Sequence, residues 1–170
     1  FSNVNIVNAN ALLSGGGVFI SQGAAVNASV VYFSSCEATG GNGGGLAVNE
    51  ASANFKFLEF DSTRALNGGG ISAKHSTVSL QHGNMRGLKA AVSGGGMYLE
   101  ASSYGSMKNI TFAWNIATSG GALLLDGSRI THETCGFHFN TASRGGTLYM
   151  KSTSSIKPEK MGLRSYTTGN

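Results

Sequence analysis

Two glycines, a small residue and an aliphatic one recur six times along the chain. The copies are Gly15-Gly16-Gly17-Val18, Gly43-Gly44-Gly45-Leu46, Gly68-Gly69-Gly70-Ile71, Gly94-Gly95-Gly96-Met97, Gly120-Gly121-Ala122-Leu123 and Gly145-Gly146-Thr147-Leu148. Their first glycines are 28, 25, 26, 26 and 25 residues apart. A fixed period of this size predicts a solenoid, in which each repeat is one coil stacked on its neighbours.

Aligned on the first glycine, the third place onward is always apolar: Val18, Leu46, Ile71, Met97, Leu123 and Leu148. So is the fifth: Ile20, Val48, Ala73, Leu99, Leu125 and Met150. The residues between are mixed, and those after are polar, which is the alternation of a short strand with one buried face. The eighth place is small in every copy (Gly23, Ala51, Ser76, Ser102, Ser128, Thr153), as a tight bend requires. A second strand follows, with Val31 and Phe33, Phe57 and Phe60, Val78 and Leu80, Ile110 and Phe112, Cys135 and Phe137, and Met161 and Leu163 expected inside. Spacing slips by one or two in this strand, which predicts bulges or variable loops there. The segments before the glycines align as Asn10–Ser14, Thr63–Asn67, Lys89–Ser93, Asn115–Ser119 and Asn140–Arg144. Asparagine at a bend bonds nearby backbone, and glycine pairs supply positive φ and close backbone approach.

A coil of about 26 residues with two or three short strands fits an all-β, right-handed parallel β-helix of about six coils, with residues 1–170 as one domain. Hexapeptide steps, a Leu-x-x-Leu-x-Leu run and a sustained 3.6-residue period are all absent, so other solenoids fit less well. With 41% hydrophobic and 12% charged residues and one proline, the chain can bury a core, unlike a disordered sequence. The net charge of +4 is mild and no block of like charges marks a nucleic-acid tail. No run of eighteen apolar residues offers a membrane span. Cys36 and Cys135 lie about four coils apart, roughly 19 Å at the spacing of adjacent strands, so both are expected as free thiols.

Phe112-Ala-Trp-Asn115 ahead of Gly120-Gly121-Ala122-Leu123, and Phe137-His-Phe-Asn140 ahead of Gly145-Gly146-Thr147-Leu148, resemble the repeats of chlamydial polymorphic outer membrane proteins, within the pectin-lyase-like superfamily. The glycine motif extends the resemblance over the whole chain. Phe-x-x-Asn is complete in two copies only, and Val7-Asn-Ala-Asn10 and Phe60-Asp-Ser-Thr63 are degenerate. The resemblance implies a right-handed β-helix on an extracellular face, without fixing one activity.

Polysaccharide lyases and hydrolases share this fold and need clustered carboxylates. Here the two aspartates, Asp61 and Asp126, fall in different coils, and the glutamates are scattered. Glu59 and Asp61 read as a solvated strand face. Glu100 and Asp126, between Lys74 and Lys151, read as a cross-coil charge ladder. His132, Cys135 and His138 are oddly spaced and alternate across a strand, which disfavours a metal. No catalytic residue, metal site or cofactor is expected.

The sequons Asn27-Ala28-Ser29 and Asn109-Ile110-Thr111 make Asn27 and Asn109 candidate glycosylation sites. Phe19, Tyr98 and Tyr149 form one outward column, a candidate surface for glycans or a neighbouring chain. The chain begins at Phe1, which reads as a processed chain or an excerpt, and no capping helix is evident at either end. The sequence therefore predicts further coils or end-to-end self-association. The expectation is a structural solenoid of an extracellular or cell-surface assembly, possible as a glycosylated fibre. An adhesin or carbohydrate-binding stalk stands second and a polysaccharide-degrading enzyme third.

Overall fold

The computed structural model describes residues 2–160, and every regular element among them is a β-strand. The strands form three sheets of eight, six and six. Sheet 1 holds long strands such as Ala25–Ser34, Ser52–Asp61, Thr77–Arg86 and Tyr104–Ala113. Sheet 2 holds the segments before the glycines, including Arg64–Asn67, Lys89–Ser93 and Ile116–Ser119. Sheet 3 follows the glycines, with Leu46–Asn49, Ile71–Lys74, Met97–Glu100 and Leu123–Asp126. The chain visits the sheets in turn, and neighbours within each are parallel. This is a parallel β-solenoid of about six coils with a repeat of about 26 residues.

Four columns of left-handed residues bend the coil at fixed places. One column is the first glycine of each motif, Gly15, Gly43, Gly68, Gly94, Gly120 and Gly145, with φ from 61° to 70°. A second follows sheet 3: Gln22, Glu50, His75, Ala101, Gly127 and Ser152. A third ends sheet 1: Asn8, Ser35, Ser62, Gly87, Trp114 and Phe139. The fourth lies inside the long strands: Asn3, Val30, Phe57, His82, Asn109 and Thr134. Among the described residues, only Gly23 and Ser102 have positive φ outside these columns, and each lies beside one.

At the glycine corner the coils touch through their backbones. A Cβ on Gly69 would collide with the carbonyl oxygen of Gly95 in the next coil and lie 2.7 Å from that of Lys89. The third residue of the motif faces inward instead. A Cβ on Gly96 would lie 2.6 Å from Cδ1 of Phe112. Its absence makes room for an inward column of large side chains, Phe33, Phe60, Met85, Phe112 and Phe137, four of them aromatic. Phe33 and Phe60 stack at 4.6 Å with a 5° interplanar angle, and Phe112 and Phe137 at 5.3 Å and 9°. Such pairs add to the burial that holds a core.

Polar ladders close the two other corners. The Oγ atoms of Ser76, Ser103, Ser128 and Ser154 accept from the backbone N–H of Ala51, Ser76, Ser103 and Ser128, at 3.2 Å each. Between sheets 1 and 2, Asn115 Oδ1 accepts from Leu88 N–H at 3.0 Å, and Asn140 Oδ1 from Asn115 N–H at 3.1 Å. No buried side-chain polar atom among the described residues lacks a partner. That is the condition for keeping polar groups inside a sheet stack.

Four sequence expectations need correction. Phe57 points outward and Leu58 occupies the core, because the left-handed residue at 57 reverses the alternation mid-strand. The ten-residue strands keep register; sheet 1 shifts register at His132/Glu133, in the pairing of Arg129–Glu133 with Ser155–Lys160, and the other shifts lie in sheet 2, between Ala38 and Asn42 and between Lys89 and Ser93. Asn10 pairs with Glu37, so Ala9, and not Asn10, matches Asn115; Leu88 takes that place in the fourth coil. The small corner column runs through Ser103 and Ser154, one residue later than Ser102 and Thr153, because those corners hold an extra residue. Met161 and Leu163 lie outside the described residues.

Candidate functional site

The outer face of sheet 1 carries the most varied chemistry. Val30, Phe57, His82 and Asn109 stand at equivalent positions in successive coils, each with φ between 53° and 58°. Val30 and Phe57 are each 49% exposed. A β-branched or bulky residue in this region is strained by its own Cβ, and such strain persists only when its surroundings impose it. Here the parallel ladder on either side imposes it. The consequence is a row of side chains that projects from the face.

The row is internally organised. The Phe57 and His82 rings stack at 5.3 Å, and Lys56 Nζ lies 5.3 Å from the Phe57 centroid. Asn109 Nδ2 lies 3.3 Å from His82 Nδ1. Beside the row runs a groove of about 430 Å³, whose other wall includes Tyr32, Glu59, Asn84 and Thr111. Asn84 Nδ2 donates to Glu59 Oε1 at 3.4 Å. A neighbouring groove of about 620 Å³ shares Glu59 and Asn84 and reaches Asp61, Arg86 and Trp114. Together they offer ring faces, amides, a hydroxyl and single charges. Stacking and hydrogen bonding are the chemistry such a surface can perform.

Glu59 and Asp61 share this outer face. Asn27 is exposed on a different column of sheet 1, where Oδ1 accepts from Asn54 Nδ2 at 3.0 Å. Asn109 is half-buried in the row just described, so the two sequon asparagines sit in unlike surroundings. Glu100 and Asp126 are neighbours on the sheet 3 ladder, between Lys74 and Lys151. Lys151 Nζ meets Asp126 Oδ2 at 3.2 Å. The Ser152 hydroxyl first, and Lys151 after it, hold the Asp126 carboxyl below its ordinary range. Cys36 is a buried free thiol, and Cys135 is a half-buried one that burial pushes up.

The column of Phe19, Tyr98 and Tyr149 is not an open face. Phe19 is 54% exposed, but Tyr98 is 8% exposed and Leu124, between the two tyrosines, is buried. The cause is a concave corner beside the first glycines. There Arg144 spans both sides, with Nε donating to Ser119 Oγ at 3.1 Å and its guanidinium 5.5 Å from the Tyr149 ring centroid. Tyr98 Oη donates to Glu100 Oε2 at 3.0 Å. Burial, and then the Glu100 charge, push the Tyr98 phenol well above its ordinary value.

The row of Val30, Phe57, His82 and Asn109 escaped sequence reasoning. Its members are of four residue types, and extra residues at Gly23 and Ser102 blur their spacing from the glycines. Comparison with known protein families, curated proteins and solved structures finds no match to this chain.

Proposed function

We propose that the chain is a structural β-solenoid, a rigid segment of an extracellular or cell-surface assembly. The observation that supports this reading is the continuity of its ladders. Core, glycine, serine and left-handed columns run from coil to coil, while the outward residues vary freely. Such an arrangement specifies a stiff scaffold before it specifies any chemistry. In this reading the chain resembles the repeats of chlamydial polymorphic outer membrane proteins. Its partners are further coils or further copies in series, and Asn27 and Asn109 carry glycans. Electron microscopy of the native full-length material tests it. Rods or filaments that lengthen by about 4.8 Å per coil are expected. Compact particles overturn it.

A second reading, an adhesin or carbohydrate-binding stalk, is favoured by the groove beside Phe57 and His82 rather than by Tyr98 and Tyr149. Exposed rings next to amides and a carboxylate suit the stacking and hydrogen bonding that sugars require. Glycan-array binding that is lost in Phe57→Ala and retained in Tyr98→Phe supports it. Binding insensitive to Phe57→Ala sinks it.

A further inference from the structure

We infer that the sheet 1 groove beside Val30, Phe57 and His82 is filled by the chain's own carbohydrate, an N-linked glycan attached at Asn109. The inference rests on the reading above in which Asn109 is glycosylated, and it gives that glycan a place. Asn109 and Thr111, the first and third residues of the sequon, both line the groove. From them it runs back past His82 and Asn84 to Phe57, Glu59 and Tyr32 in the preceding coils. A sugar attached here starts inside the groove.

The attachment atom sets the direction. An N-linked sugar is carried on the asparagine side-chain nitrogen. Asn109 Nδ2 donates to His82 Nδ1 at 3.3 Å, so it faces along the row toward the preceding coil. In the attachment, one of its two N–H bonds gives way to a bond to the anomeric carbon of a phosphate-activated sugar. The phosphate leaves with the electron pair of its C–O bond, and a base of the transferase takes the proton. The second N–H stays to donate to His82. The first sugar therefore arrives beside the His82 ring, and the Phe57 ring follows, stacked on His82 at 5.3 Å. Adjacent coils are about 4.8 Å apart, comparable with one pyranose ring, so successive sugars meet successive members of the row. Phe57 is 49% exposed and offers a ring face to the apolar side of a sugar. On the other wall, Tyr32, Glu59 and Asn84 offer a hydroxyl, a carboxylate and an amide to its polar edge. Asn27 supplies the contrast. The groove around it holds Asn54, Ser79 and Gln81, and its one ring, Phe55, is buried. A glycan at Asn27 has no ring face to lie on. External sugars reach the Phe57 surface only in a chain that lacks the Asn109 glycan.

The full chain secreted from a glycosylating eukaryotic host tests this. Peptide mass spectrometry reads occupancy, and both Asn27 and Asn109 are expected to be modified. Under native conditions, an endoglycosidase that cuts within the glycan core should act about tenfold more slowly at Asn109 than at Asn27, a factor that one stacked ring supports. In Asn27→Gln, where the sugar signals belong to Asn109, an N-acetyl methyl proton signal should move upfield in the ring current of Phe57 and His82. Phe57→Ala should bring release at Asn109 close to that at Asn27 and remove most of the shift, with occupancy and circular dichroism unchanged. Equal release at the two sites with unshifted methyl signals, in a chain modified at both, overturns the inference and leaves the glycoprotein reading standing. Slow release at Asn109 that Phe57→Ala does not change also overturns it. A glycan on Asn27 alone overturns the inference by itself, and two bare asparagines overturn it together with the glycosylation on which it rests.

Discussion

Asn115 reaches back one coil to Met85: its Nδ2 donates to the Met85 carbonyl at 3.0 Å, across a sequence separation of 30 residues. The same side chain accepts from Leu88 N–H, and Asn115 is fully buried. One amide therefore satisfies a donor and an acceptor that the bend removes from the sheet ladders. Asn115→Ala leaves both unmatched in a dry site and should cost about 2–5 kcal/mol, by the penalty for unsatisfied buried groups. Asn140→Ala, at a half-buried equivalent, should cost about half as much, because water reaches the groups it abandons. Urea titrations of the two variants compare them, and equal losses would refute the argument.

Gly69 and Gly23 separate two roles of glycine. Gly69 faces the Gly95 carbonyl, and an added Cβ cannot be accommodated unless the coils part. Gly23 has φ +75° with nothing within 4 Å of its would-be Cβ. Gly23→Ala should cost only the left-handed penalty, about 1–2 kcal/mol. Gly69→Ala should exceed about 4 kcal/mol, in the range that marks a disrupted backbone. Chemical denaturation of both variants, with two alanines of similar effect, would count against backbone contact at the corner.

The period, the stacked coils and most of the core are legible in the sequence because each rests on side chains that repeat; that each coil holds three strands rather than two is not. Leu46, Ile71, Met97 and Leu123 announce an inward column by their type and spacing alone. The outward turn of Phe57 is not legible in the sequence, because it is set by a backbone conformation with no residue signature. Val, Phe, His, Asn and Thr all occupy that column. The burial of Tyr98 is not legible for another reason. Strand alternation says which face a residue takes, but not whether that face lies in a concave corner. The sheet 1 groove draws on five coils at once, so no local motif could announce it.

Val30 offers a test of the strain itself. Its φ of 53° is unfavourable for a β-branched residue, and its side chain is half exposed. Asparagine tolerates the left-handed region far better and forfeits little apolar burial there. Val30→Asn should raise stability by about 0.5–1.5 kcal/mol. A thermal or urea melt decides it, and a loss of stability would mean that Val30 packs in a way its exposure does not reveal.

Tyr98 should make the solenoid sensitive to alkali. Its phenol is raised above its ordinary value of 10.0 by burial and by Glu100, so the folded state holds the proton more tightly than the unfolded chain does. Above the unfolded value the unfolded chain ionises while the folded one stays neutral. Its contribution is thus complete below pH 10 or so and is lost as pH rises from there toward the folded value. While only the unfolded state is ionised, this one group lowers stability by up to about 1.4 kcal/mol per pH unit. In an ultraviolet titration, one tyrosine should resist ionisation until the fold opens. Tyr98→Phe should remove that late step and flatten the alkaline limb of the stability curve, at the expense of the hydrogen bond to Glu100 at neutral pH. A wild-type chain in which every tyrosine titrates near its ordinary value while still folded would show that Tyr98 is not held in the corner as described.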